Sequence, residues 1–218
     1  MPTTPLANES WERFRDAQRA GIAAAIIELV NEQDSVITIA QIADRAGVSR
    51  PTFYKYFPTL GAAMLHVHRH VIDTIATYGQ QGPAEDDLDG LTQFLQRMSA
   101  LASLAKARPD LIRFTSYFDF TFRRHGLTDD EHRALHELEV FLMEIAREPF
   151  RKGQQDGSIR PELDIPHMVE VIGASILGLA QRALVTADGP SAREKDIERH
   201  FTTALDAWRA YLTPQNVT

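Results

Sequence analysis

Residues 38–57 read TIAQIADRAGVSRPTFYKYF, two short helical segments joined by three residues, and this spacing decides the fold. Ile39, Ile42 and Ala43 give the first segment an apolar face, and small Ala43 and Ala46 let a second helix cross close by. Thr38, with Gln41 three positions on, has capping-box spacing; Gly47 supplies a left-handed turn residue, Val48 plugs the gap between helices, and Ser49 caps the next helix. Phe53 and Phe57 then point back into the core. With those positions spent inward, Arg50, Pro51, Thr52, Tyr54, Lys55 and Tyr56 remain on the outer face. This is the shape of a helix-turn-helix. Its outer residues suit DNA: arginine pairs bidentately with guanine, Pro51 and the Thr52 methyl can touch thymine methyls, and Lys55 with the tyrosine hydroxyls can hold phosphates. The alternative is a hairpin buried in a helical bundle. Phe53, Tyr54 and Tyr56 beside Arg50 and Lys55 crowd so short a helix too much for burial all round.

Outward from this motif almost every segment carries a 3.6-residue apolar rhythm, and no run alternates as a strand would. The chain reads as all-α, with about nine helices. Ser10 is positioned to cap a first helix running to about Asn31, with Phe14, Ala17, Ala24, Ile27 and Val30 near one stripe. Pro58 stops the third helix, and Thr59 caps a fourth that reaches about Tyr78. Gly79, Gly82 and Pro83 break it, and the acidic, Gly/Pro-containing stretch 79–89 is the best candidate for a subdomain boundary. Longer helices follow at 88–107, 110–124, 128–156 (Thr128 cap, Glu131 at N3), 165–187 and 191–212 (begun by Ser191).

The composition fits an ordinary globular chain of 218 residues, 44% hydrophobic and 24% charged. Cysteine is absent, which removes disulfides, thiolate zinc sites and thiol nucleophiles. The N-terminal residues have no apolar targeting core, and the apolar stretches 20–30 and 171–180 fall short of a membrane span, so a cytoplasmic protein without a membrane partner is expected. Residues 1–82 hold seven Lys/Arg against eight Asp/Glu, a net −1 of the total −7, so most of the acid lies in the second part. Bulk charge therefore excludes a protein that coats nucleic acid, while allowing a small reading head with local cations.

Residues 15 to about 67 resemble the DNA-binding domain of the tetracycline-repressor (TetR-type) family of bacterial regulators. The family pattern T-x-x-x-I-A-x-x-A-G-V-S-x-x-T-x-Y-x-Y/H-F is matched by Thr38, Ile42, Ala43, Ala46, Gly47, Val48, Ser49, Thr52, Tyr54, Tyr56 and Phe57. The resemblance implies a head at 1–58, a connecting helix at 59–82 and a ligand-binding and dimerisation domain at 83–218. It implies that Arg50, Pro51, Thr52 and Tyr54 face bases or sugars, that Lys55 and Tyr56 meet the backbone, and that Thr38 meets a phosphate. The implied function is a ligand-responsive transcriptional repressor without a cofactor, its partners a two-fold operator in double-stranded DNA, a second copy of itself and a small-molecule effector. One departure is Leu60, where the family usually carries a lysine. It implies a shallower salt dependence of binding, with Arg13, Arg15 or Arg19 as candidates to compensate.

The later segments leave alternatives open. Arg113, Phe114, Tyr117, Phe118 and Phe122 read either as a wall of an effector pocket, with Arg113 or Tyr117 as its polar anchor, or as core. The pairs His66/His70 and His132/His136 have the spacing of two metal ligands, the basis of an alternative reading as a helical-bundle enzyme. No third ligand and no catalytic constellation accompanies them, so neither an enzyme nor a metal site is expected. Ile172, Ile176 and Leu179 on one helix, with Phe201, Leu205 and Trp208 on the next, read as half of a two-fold four-helix interface or as an internal core.

Overall fold

The computed structural model describes residues 5–32, 35–79, 87–186 and 188–215, with side-chain surroundings from residue 15 onward except Gly79. The described residues form helices α1 (Pro5–Glu32), α2 (Ile39–Arg45), α3 (Arg50–Tyr56), α4 (Leu60–Gly79), α5 (Gly90–Ala107), α6 (Pro109–Thr121), α7 (Asp129–Asp156), α8 (Ile165–Thr186) and α9 (Pro190–Leu212), with no strand among them. The chain divides into two compact units: Met1–Arg69 with Phe114–Arg133, and His70–Arg113 with Ala134–Thr218. The dividing lines fall inside α4, α6 and α7. Gly82, Pro83 and most of the expected boundary stretch lie outside the described residues.

In the first unit, α1 starts ahead of Ser10, which is interior to the helix instead of its cap. Its buried stripe is Ile22, Ala25, Ile26, Leu29 and Val30. Of the expected stripe only Val30 is buried, because Ala17 and Ala24 are exposed and Ile27 is half-buried; the Phe14 side chain lies outside the described residues. An aromatic row fills the unit's interior: Phe53 and Phe57 have ring centroids 5.9 Å apart, His68 stacks on Phe118 at 4.5 Å, and Phe114 and Phe122 flank Phe118 at 6.1 and 6.4 Å. Each fully buried side chain of this size contributes about 1.5–3 kcal/mol.

In the second unit α5, α8 and α9 pack on one another. Asp89 caps α5 by accepting from the Thr92 amide at 2.7 Å, and the Asp156 carboxylate accepts from the Gly90 amide at 2.8 Å. A Cβ on Gly90 would overlap the backbone of Pro149 and Gly153, so α5 and α7 cross backbone to backbone there. Helix α7 runs through Pro149, whose missing N–H leaves the Ile145 carbonyl unserved within the helix; the Arg97 guanidinium donates to it. Helix α9 begins at Pro190 after Gly189, with no side-chain cap, so Ser191 does not start it.

Helix α8 is long and apolar enough to cross a membrane by length and composition, contrary to the reading from its 171–180 core alone. A helix packed on neighbours passes the same test, and α8 is so packed, although only 33% of its most apolar window is buried. Ile172, Ile176 and Phe201 are buried within the chain itself, so they cannot present a surface to a second copy as expected. Leu179, Leu205 and Trp208 are half-buried, and the Trp208 indole N–H donates to Ser175 Oγ at 3.1 Å.

Candidate nucleic-acid interface

The interface is built from the local chemistry of 38–57. Thr38 Oγ1 accepts from the Gln41 amide at 3.3 Å while the Gln41 side chain accepts from the Thr38 amide at 2.9 Å, closing the capping box that starts α2. Gly47 adopts φ 65°, a conformation that costs a side-chain-bearing residue strain, and the Val48 amide donates back to the Ala43 carbonyl at 2.9 Å. Ser49 Oγ accepts from the Thr52 amide at 3.2 Å, and Pro51 sits in the first turn of α3, where its missing N–H costs nothing.

These caps aim α3. Phe53 is fully buried and Phe57 nearly so, while Arg50, Pro51, Lys55 and Tyr54, the last 51% exposed, share the open face. Thr52 and Tyr56 are half-buried. The Thr52 hydroxyl is bonded to Ser49 at 2.8 Å. Lys55 Nζ lies 5.9 Å from the Tyr56 ring centroid, so cation and phenol occupy one end of the face together. Thr38 is exposed beside the amides of the first turn of α2. Guanidinium, ammonium, phenol and methyl groups on one short helix can serve both base edges and phosphates.

Not every nearby cation is available. Arg45, in the last turn of α2, is held by Glu28 at 3.2 Å and Glu32 at 2.5 Å on α1. The hydrogen bond from Arg45 pulls the Glu32 carboxyl below its ordinary value. Of the proposed compensating residues Arg15 and Arg19 are exposed, and the Arg13 side chain lies outside the described residues.

Two attachments escaped the sequence reading. The Ile37 amide, directly before the α2 cap, donates to the Tyr117 hydroxyl at 2.9 Å, so this tyrosine is spent on the head. Thr59, directly after α3, donates through its hydroxyl to the Glu131 carboxylate. Residues 114–133 thus bracket the helix-turn-helix, and Gly61, a glycine at the second position of α4, was the available signal. Among the other expected pocket residues Phe114, Phe118 and Phe122 are buried and Arg113 is exposed.

The histidines are dispersed in their uses. His66 lies against the Phe57 ring at 5.3 Å, His70 and His136 are exposed, and both His132 ring nitrogens lie 3.0 Å from backbone carbonyls, those of Thr128 and Arg123. Among the described residues no group of three or more His, Asp or Glu side chains comes together to hold a metal ion.

Comparison with known proteins agrees with this geometry. Residues 22–59 match the model of the bacterial regulatory proteins of the tetR family. The nucleoid occlusion factor SlmA of Vibrio cholerae is 25% identical over 169 residues, 77% of this chain and 82% of its own. A TetR family protein from Vibrio parahaemolyticus superposes with a TM-score of 0.62 at 22% identity, over 91% of this chain and all of that one. The transcriptional regulator FadR from Bacillus subtilis, solved in complex with stearoyl-CoA, has a TM-score of 0.68 at 15% identity, over 86% of this chain and 95% of that one. Residues 22–59 are thus similar to the DNA-binding domain of the tetR family, the chain shares its fold with regulators of that kind, and together these findings support a helix-turn-helix DNA-binding regulator.

Proposed function

We propose that the chain is a homodimeric, cytoplasmic repressor that reads a two-fold operator and leaves it when a small molecule binds its C-terminal part. The observation that carries the proposal is the division of α3: Phe53 and Phe57 hold the helix from inside while Arg50, Pro51, Tyr54 and Lys55 stand free on one face. Arg50 and Tyr54 read base edges with Pro51 and the Thr52 methyl beside them; Lys55, Tyr56 and Thr38 hold phosphates. The functional division follows the chain: head at 1–58, connecting helix at 59–82, ligand-binding and dimerisation domain at 83–218.

A second copy is supported by what α8 leaves uncovered. Val171, Ala174, Gly178, Arg182 and Val185, the last 82% exposed, lie at helical spacing along its open face, with Ala207, Ala210 and Tyr211 exposed on α9. A two-fold dimer of helix-turn-helix readers binds half-sites about 34–36 Å apart. The effector is supported by FadR, whose complex holds stearoyl-CoA. It releases DNA only insofar as it binds the released conformation better than the DNA-bound one.

Selection from a randomised duplex library by the purified chain tests the reading. The expected product is an inverted repeat with half-site centres about one helical turn apart. Recovery of unrelated sequences would refute it.

A further inference from the structure

Glu131 stands at N3 of α7 and carries two duties there. One carboxylate oxygen accepts from the Thr128 amide at 2.8 Å, closing the α7 cap. The other accepts from the Thr59 hydroxyl, whose oxygen in turn accepts from the Ala62 amide at 2.8 Å in the first turn of α4. A single carboxylate thus caps its own helix and, through Thr59, the helix that leaves α3. Burial pushes this carboxyl up, but hydrogen bonds from Thr59, Thr128 and Ala62 outweigh that and hold it below the ordinary glutamate value. Gly61 makes the room: a Cβ there would lie 2.5 Å from Glu131 Oε2, 2.9 Å from its Cδ and 3.0 Å from the Gly126 carbonyl oxygen. The substitution Gly61→Ala therefore displaces the carboxylate without changing its chemistry.

We propose that Glu131 is a positioning residue for DNA reading, which fixes the α3–α4 corner, and with it the attitude of α3, from the start of α7. This rests on the regulator reading above, and it assigns to a residue far along the chain a part in setting the recognition helix.

The test compares full-length wild type, Glu131→Ala, Glu131→Gln and Gly61→Ala. Amide hydrogen exchange of residues 53–63 is measured, together with affinity for the library-selected duplex and for a scrambled duplex of equal length. Exchange at the corner is expected to quicken in Glu131→Ala and Gly61→Ala, and affinity for the selected duplex to fall about tenfold, with scrambled DNA unaffected. Glu131→Gln, which keeps one oxygen for the Thr59 hydroxyl and gives up the bond from the Thr128 amide, is expected to hold corner exchange and selected-duplex affinity nearer wild type than Glu131→Ala. Urea unfolding of each variant is measured alongside, and binding and exchange are compared only where every variant is folded, which separates positioning from folding. Unchanged corner exchange in both disruptive variants overturns the proposal, whatever the DNA result. So does faster exchange with selected-duplex affinity intact. A wild type that selects no sequence overturns the regulator reading, and the reading role with it, and the wild-type control alone reveals that case.

Discussion

Helices α3 and α8 each bury one side and show the other to solvent, and the residues they show are of opposite kinds. Helix α3 shows Arg50, Tyr54 and Lys55, groups that form directional and charged bonds; α8 shows Val171, Ala174, Gly178 and Val185, with the charged Arg182 among them. A polar face of this kind suits a charged, hydrogen-bonding partner, whereas an apolar face gains from being covered by another apolar face. One chain thus presents one surface suited to nucleic acid and one suited to protein.

The comparison breaks most severely if the inward half of α3 is removed. Phe53→Ala opens a cavity at a fully buried site and is expected to cost about 3–5 kcal/mol. Urea unfolding measures this, and a loss below about 1 kcal/mol would mean that α3 is held by its outer face instead. On α8, a Cβ on Gly178 meets nothing within 4 Å, so Gly178→Glu leaves the protomer's packing intact. Sedimentation is expected to show self-association weakened about a hundredfold, or ~2.8 kcal/mol. Undiminished association would place the contact elsewhere.

Titration sharpens the inner side of the head. Burial, and after it the charge of Arg123, pushes the His68 imidazole down from 6.5 to about 4, and its Nδ1 has no hydrogen-bond partner. Between those values the unfolded chain binds a proton that the folded chain refuses. Stability is therefore complete above pH 6.5 and declines as acid is added, by about 2 kcal/mol between pH 7 and 5. His68→Phe keeps a ring against Phe118 and should flatten that decline. Parallel denaturation curves for the two proteins would contradict the assignment. The smallest expected effect is Tyr117→Phe, which deprives the Ile37 amide of its partner and should cost about 1 kcal/mol in the same assay. No change would mean that the amide finds another acceptor.

What was legible in the sequence is what neighbouring residues decide among themselves. The Thr38–Gln41 box, the Gly47 turn, the Ser49 cap and the Thr128–Glu131 cap each involve residues no more than a few positions apart, and each forms as expected. The side of a helix that turns inward depends on distant partners. Helix α8 is apolar over most of its circumference, so periodicity does not distinguish Ile172 and Ile176, which are buried, from Val171 and Ala174, which are exposed. The α1 stripe was misplaced for a related reason: Ala20 to Val30 offers small and apolar residues on every side. Tyr117 and Glu131 reach residues 80 and 72 positions away, separations that no local pattern records.

The central claim is that the outer face of α3 discriminates between DNA sequences, and Arg50→Ala tests it most directly. Binding of wild type and variant to the selected duplex and to scrambled DNA would be measured at physiological salt. The variant should lose about 1–3 kcal/mol on the selected duplex, relax preference at one base step and bind scrambled DNA as before. Equal losses on both duplexes would make Arg50 a phosphate contact and contradict the claim that α3 reads sequence through it.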